Sequence, residues 1–343
     1  MKRLLVEPAT VAGSACDLRA GYVRAVERGE EICHDLVIGP WRLRVLFATR
    51  ALASALTPPL TRLLSPPTGP ALATIRVWDS ASTGIAPPPI PVEVAGDARD
   101  DRFRVEYRTG SISLFDSLDR TGYFWFADHA QIDWYERAEP LRAAIHWALT
   151  TDRRYLAHAS AVGDDHGAVV LTGRGGAGKT TTTLASIDAG LSFISDNYVL
   201  LSLEGRQPVV HGVYGNAKVW PQTLQQLPGL KPYVRSWDVA LDEKLVLEIA
   251  RHRPESLATG LPVRAVVVPV VVGGSEARLT RCSPAEALLA LAPTTVLQLP
   301  LTGFGLDGMA ELLRCVATYK LELGRDVMAG PRLLCTLLDE LAG

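Results

Sequence analysis

The sequence predicts a chain of two domains. The C-terminal one (138–343) is an α/β domain built around a glycine-rich phosphate loop. The N-terminal one (1–137) is a smaller α+β domain rich in antiparallel strand. Three observations predict this. Gly173-Arg174-Gly175-Gly176-Ala177-Gly178-Lys179-Thr180 matches G-x-x-x-x-G-K-[ST], with an apolar strand pattern before it and a helix pattern after it. The first ~135 residues carry several strand patterns, one of which, Arg102–Arg108, alternates as half-buried strands do. A length of 343 residues suits about two domains at roughly 100–200 residues each.

Taken in order, Val37–Leu46 has strand character and Ala48–Leu64 starts a short helix before the proline-rich run Pro58–Pro70. A second such run, Ala86–Pro91, predicts extended loop. Thr74–Trp78, Arg102–Arg108, Ser111–Phe115 and Tyr123–Ala127 read as strands. In Arg102–Arg108 the period of two puts Phe103, Val105 and Tyr107 on one face, and Thr109-Gly110 supplies a turn. Glu139–Leu149 is amphipathic, with Leu141, Ala144, Ile145 and Ala148 at helical spacing. It leads into a strand pattern at Tyr155–Val162.

Ala168–Thr172 then reads as a short buried strand and Thr181–Ala189 as a helix closed by Gly190. Leu191–Ser195 is another strand, followed by Asp196. Strand, loop, helix and strand together form a βαβ-type unit. Strands at Tyr198–Leu203 and Val263–Val272 and helices at Pro284–Leu291 and Gly308–Tyr319 complete the α/β half.

Composition excludes several classes. Apolar residues make up 48% and charged residues 21%, which excludes wholesale disorder. The formal charge of −2 gives no basic field for nucleic acid. The opening MKRLLVEPA breaks its apolar run at Glu7 and Pro8, too early for a signal peptide. No stretch approaches the ~20 apolar residues of a membrane span. The five cysteines fall in no metal-ligand spacing and read as reduced thiols of a cytoplasmic protein. Cys33-His34 has no partner ligands in sequence. Six lysines stand against 29 arginines, so each internal lysine is informative.

The phosphate loop assigns a job to each position. Gly173, Gly175, Gly176 and Gly178, with Ala177 among them, let successive backbone N–H groups approach phosphate oxygens. Lys179 reaches the β- and γ-phosphates, the Thr180 hydroxyl ligates Mg²⁺, and Thr181 continues the helix whose positive end completes the anion site. The loop predicts nucleotide binding, with ATP and Mg²⁺ as cofactors.

The segments AHASAV, GAVVLTGRGGAGKT and GLSFISDNYVLL resemble the kinase domain of the HPr kinase/phosphorylase-like family. The resemblance covers about 150–340 and is strongest over 155–203. Asn216–Pro221, Asp242–Leu247, Val266–Val272 and Ser283–Leu291 fit it more loosely. It implies an ATP-dependent phosphotransferase. Asp196 matches the family's catalytic base and holds Mg²⁺ or takes the hydroxyl proton, and His158 matches the family histidine near the γ-phosphate. Asn197 stands at the second acidic position, and NAKVWP stands where the Gly-rich acidic signature of true HPr kinases falls. The chain therefore resembles a divergent branch. The resemblance then implies an acceptor hydroxyl on a peptide, a protein or a small molecule, and neither nucleic acid nor a membrane is expected as partner. The N-terminal domain is expected to contribute to acceptor choice, and a homo-oligomer is left open.

Lys218, Lys244, Arg251 and Arg253 either neutralise transferring phosphate or lie as solvated surface charges. Tyr123, Phe124, Trp125, Phe126, Trp134 and Tyr135 either stack a ligand or form core. Two other functional classes compete with the kinase. One is a carboxykinase-like or other phosphate chemistry on the same core. The other is a non-catalytic nucleotide-sensing module.

Overall fold

The computed structural model describes residues 8–89, 96–99, 102–151, 153–205, 207–235, 244–274, 276–299 and 305–342. Residues 1–7 of the opening segment, 90–91 of the second proline-rich run and 242–243 of Asp242–Leu247 lie outside them. The chain forms two compact units, Met1–Leu149 and Thr150–Gly343, both mixed α/β.

The first unit is built on one sheet of eight strands. Their order is Leu64–Ser65, Ile32–Ile38, Trp41–Phe47, Ala73–Asp79, Thr121–Phe126, Ser111–Asp116, Phe103–Arg108 and Gly96–Arg99. Ala73–Asp79 runs parallel to both its neighbours, and the other pairs are antiparallel. The single strand expected at Val37–Leu46 is two, because Gly39 takes φ 57° and turns the chain back. The helix expected from Ala48 is Arg50–Leu56, which gives way to a 3₁₀ turn over Pro58–Leu63.

A helix at Pro8–Arg28 has no counterpart in the sequence reading. It covers one face of the sheet, burying Leu18, Tyr22 and Ala25 in one cluster with Trp78 and Trp125. A Cβ at its Gly21 would lie 2.2 Å from the Trp78 ring, so the close approach requires glycine. Phe124, Trp125 and Phe126 are buried as core, whereas Tyr123, also largely buried, keeps part of its ring on a cavity of the first unit. Trp134 and Tyr135 sit half-buried at the start of a helical turn, Trp134–Ala138. The helix Arg142–Leu149 packs within this first unit.

In the second unit the sheet runs Ser192–Ser195, Ala159–Asp164, Gly167–Thr172, Gly260–Val271, Gln207–Gly212, Val199–Glu204 and Arg154–Ala157. The path returns on itself. Its last strand and its second are one extended segment interrupted only at His158, so the strand expected at Tyr155–Val162 is two. The strands before and after the helix Lys179–Asp188 both run antiparallel to Ala159–Asp164, which lies between them. The βαβ-type unit therefore has its two strands parallel in direction but not adjacent.

Ala317–Leu323 extends the sheet, parallel to Gly260–Val271. The helix expected over Gly308–Tyr319 is Gly305–Arg314, and Thr318 and Tyr319 are buried strand residues instead. The Cys315 N–H bonds the Leu312 carbonyl in the tight turn that ends the helix. The helix begun at Pro284 carries a capping box of Ser283 and Glu286 and runs past Pro293 to Gln298. A small sheet of Ala217–Val219, Leu245–Leu247 and Val234–Arg235 completes the unit. Among the described residues no helix is long and apolar enough to cross a membrane.

Candidate active site

Strand direction brings the site together. Gly167–Thr172 and Ser192–Ser195 end at the same edge, and the antiparallel strand between them begins there. The glycine-rich loop, Asp196 and the start of Ala159–Asp164 therefore meet, although 38 residues separate His158 from Asp196 in sequence.

The loop backbone needs its glycines. Gly173, Gly176 and Gly178 take φ of 146°, 79° and 100°, values that L side chains rarely adopt. A Cβ at Gly178 would also lie 2.5 Å from Leu323 Cδ1. Gly175 has no such neighbour and no positive φ. Ala177 closes the loop by donating its N–H to the Arg174 carbonyl at 3.3 Å. The helix Lys179–Asp188 starts at once, with Gly178 as its N-cap and Thr181 in its first turn.

Lys179 is buried. Its Nζ donates to the carbonyls of Gly173 at 2.6 Å and Arg174 at 3.3 Å, so the ammonium is folded over the loop. Burial holds its pKa below the ordinary lysine value; the Asp196 carboxylate opposes that shift and Lys244 adds to it.

Asp196 is 2% exposed and accepts three kinds of hydrogen bond. The Ser160 hydroxyl donates to Oδ1 at 2.6 Å. The Thr180 hydroxyl lies 3.1 Å from Oδ1 and 3.2 Å from Oδ2. The Lys218 backbone N–H approaches Oδ2 at 3.5 Å. The two candidate Mg²⁺ ligands, Thr180 and Asp196, are thus in direct contact. Oxygen donors of this kind, one hydroxyl and one carboxylate, fit a small hard cation.

His158 is held on every side. Its backbone N–H donates to Thr295 Oγ1 at 3.0 Å, and its Nε2 lies 3.1 Å from Asn197 Oδ1. Gln298 Nε2 approaches the other ring nitrogen at 3.4 Å, and Gln298 Oε1 accepts from the Tyr198 hydroxyl at 2.8 Å. These partners are consistent as a set when the neutral ring carries its proton on Nε2. Burial, then the charges of Lys179, Lys218 and Lys244, push the His158 pKa down to about 3, with the Asn197 bond opposing. The imidazole is therefore neutral at physiological pH. Asn197 itself sits at φ 68°, a left-handed conformation that asparagine tolerates better than most residues.

Three of the six lysines converge on this site. Lys218 stands on Ala217–Val219, and Lys244 lies just before Leu245–Leu247, which pairs with it. The Lys244 ammonium rests 5.7 Å from the Trp220 ring centre. Arg251 and Arg253 behave differently. They pair with Glu248, and with Asp188 and Glu255, respectively.

Sequence reasoning missed Ser160, Thr295, Tyr198 and Gln298. Ser160 lay inside a predicted strand, and Gln298 on a helix expected to stop at Leu291.

No family model matches the sequence, and no curated protein does. Among solved structures, the Hpr(Ser) kinase/phosphatase from Coxiella burnetii is similar at a TM-score of 0.30 and 15% identity. The match covers 54% of this chain and 88% of that chain, a likeness too slight to assign a fold.

Proposed function

We propose that this chain is an ATP-dependent kinase that transfers the γ-phosphoryl group to a hydroxyl acceptor. The observation that carries the reading is the contact of the Thr180 hydroxyl with both Asp196 carboxylate oxygens, at the mouth of a glycine-rich loop that ends in a buried lysine. The sequence resemblance over 155–203 to HPr kinase/phosphorylase-like kinases supports the same reading.

In this reading the N–H groups of 173–178 and the first turn of Lys179–Asp188 hold the β- and γ-phosphates. Lys179 exchanges its two loop carbonyls for phosphate oxygens. Thr180 and Asp196 would hold Mg²⁺, which would supply neutralisation of phosphate charge. Asp196 accepts the proton of the acceptor hydroxyl. The acceptor oxygen bonds to the γ-phosphorus as that atom's bond to the β–γ bridging oxygen breaks, and ADP leaves with the electron pair. Lys218 and Lys244 add positive charge around the transfer. His158, neutral and donating through Nε2, positions Asn197 and carries no proton in the reaction.

The acceptor is a peptide, a protein or a small molecule bearing a hydroxyl, with neither nucleic acid nor membrane as partner. The N-terminal unit contributes to its choice. The compartment consistent with ATP use and with five unbridged cysteines is the cytoplasm. Incubation with γ-labelled ATP, Mg²⁺ and a panel of hydroxyl-bearing peptides and metabolites tests the reading. Label on an acceptor hydroxyl is expected. Label on a carboxylate, or ATP binding with no transfer to any acceptor, contradicts it.

A further inference from the structure

The first unit contains a cavity of about 540 Å³ between the helix Pro8–Arg28 and the strands beneath it. That volume lies in the range of small-molecule sites. Its walls combine two chemistries. Tyr22 comes from the helix, and Phe103 and Tyr123 from the sheet. Between them stands Arg76, whose guanidinium lies 6.0 Å from the Tyr22 ring centre and 5.7 Å from that of Tyr123. Arg19 of the helix adds a second guanidinium at the rim.

The two carboxylates of the wall, Asp116 and Asp119, share one guanidinium. Arg102 grips Asp116 at 2.6 Å and Asp119 at 3.0 Å. Asp116 also accepts the N–H groups of Leu118 and Asp119. Glu31 nearby accepts the Tyr22 hydroxyl. Arg76 has no carboxylate partner among the described residues, although it is half-buried. Arg76 is thus a fork of donors held in place by two rings, facing a cavity with aromatic walls.

We infer that this cavity binds a small carboxylate carried on an aromatic or apolar body, with Arg76 gripping the carboxylate and Tyr22, Phe103 and Tyr123 covering the body. The guanidinium fork matches a carboxylate in geometry as well as charge. Ala12, exposed on the helix at the rim, leaves the entrance open.

Calorimetric titration of the full chain with 3-phenylpropionate, and with its neutral isostere 3-phenylpropanamide, tests the inference. The carboxylate is expected to bind about tenfold or more tightly than the amide, a ratio typical of losing a charged hydrogen bond. Arg76→Gln should reduce carboxylate binding to the level of the amide. Ala12→Phe, a change on an exposed helix face, should block both probes. It serves if Arg76→Gln disturbs folding. Arg24→Gln, on the exposed helix surface away from the cavity, should leave binding unchanged. Excess ATP should not displace the probe. The inference is overturned if the carboxylate does not bind at millimolar concentration, or if acid and amide bind alike. It is equally overturned if ATP displaces the acid, or if Arg76→Gln and Ala12→Phe both bind as the native chain does.

Discussion

The Thr180 hydroxyl lies 3.1 Å and 3.2 Å from the two carboxylate oxygens of Asp196. Thr180 is the second residue of the helix after the glycine-rich loop, and Asp196 follows a strand that is not adjacent to the loop's own strand. The contact brings a hydroxyl and a carboxylate together beside the glycine-rich loop, an oxygen pair of the kind that suits a hard cation.

Lys179 is expected to contribute to transfer and little to folding. Among the described residues its ammonium donates to the carbonyls of Gly173 and Arg174, and its desolvation already works against the charged form. Lys179→Ala should lower kcat by about 10²–10³-fold, as loss of one donor to developing charge does, with an unchanged circular dichroism spectrum. Turnover at the native level would exclude this use of the loop.

The loop glycines should differ sharply from one another. Gly178→Ala forces a Cβ into a backbone at φ 100° and to within 2.5 Å of Leu323 Cδ1. A strained backbone of this kind costs about 1–3 kcal/mol, so Tm should fall and nucleotide binding with it. Gly175→Ala meets open space and should keep Tm within a degree or two. Equal effects of the two substitutions on thermal unfolding would contradict the loop conformation described above.

Two buried histidines should make the fold acid-sensitive. The His158 pKa is pushed down to about 3, and burial and Arg154 push that of His211 down to about 4, both from 6.5. The unfolded chain binds these protons below pH ~6.5 while the folded chain does not. Stability is therefore fully present above ~6.5 and is lost as pH falls toward 4 and then 3. Each histidine contributes a slope of at most about 1.4 kcal/mol per pH unit in that window. Urea midpoints between pH 7 and 5 should decline, and less so in His158→Gln. A flat profile in the native chain would contradict the burial of both rings. The same shift implies that a pH–rate profile shows no inflection from His158 between pH 5 and 8.

What was legible in the sequence was local. The loop's residues are contiguous, and their spacing is their chemistry. Asp196 was legible because it follows a short apolar strand directly. The partners that hold it were not. Ser160 reaches Asp196 only because an antiparallel strand is inserted between the loop's strand and the next. Lys218 and Lys244 are 26 residues apart and meet through a small sheet that no periodicity announces. Gln298 required the helix from Pro284 to continue through Pro293, where proline normally signals an end. The helix Pro8–Arg28 was hidden by Gly13 and Gly21 and by few large apolar residues. Its packing depends on the absence of a side chain at Gly21 against Trp78.

The measurement that tests the central claim most directly is a Mg²⁺ titration of Asp196→Asn at fixed ATP, read as both turnover and nucleotide affinity. The amide keeps the shape of the carboxylate and most of its hydrogen bonds to Ser160, Thr180 and Lys218. It removes the proton acceptor and weakens a hard-cation ligand. As base, Asp196 accounts for a fall in kcat of about 10²–10⁴-fold with ATP affinity little changed; as metal ligand, it also shifts the Mg²⁺ midpoint upward. The account predicts the loss of kcat in either case. Unchanged turnover, whatever the Mg²⁺ midpoint, would contradict it.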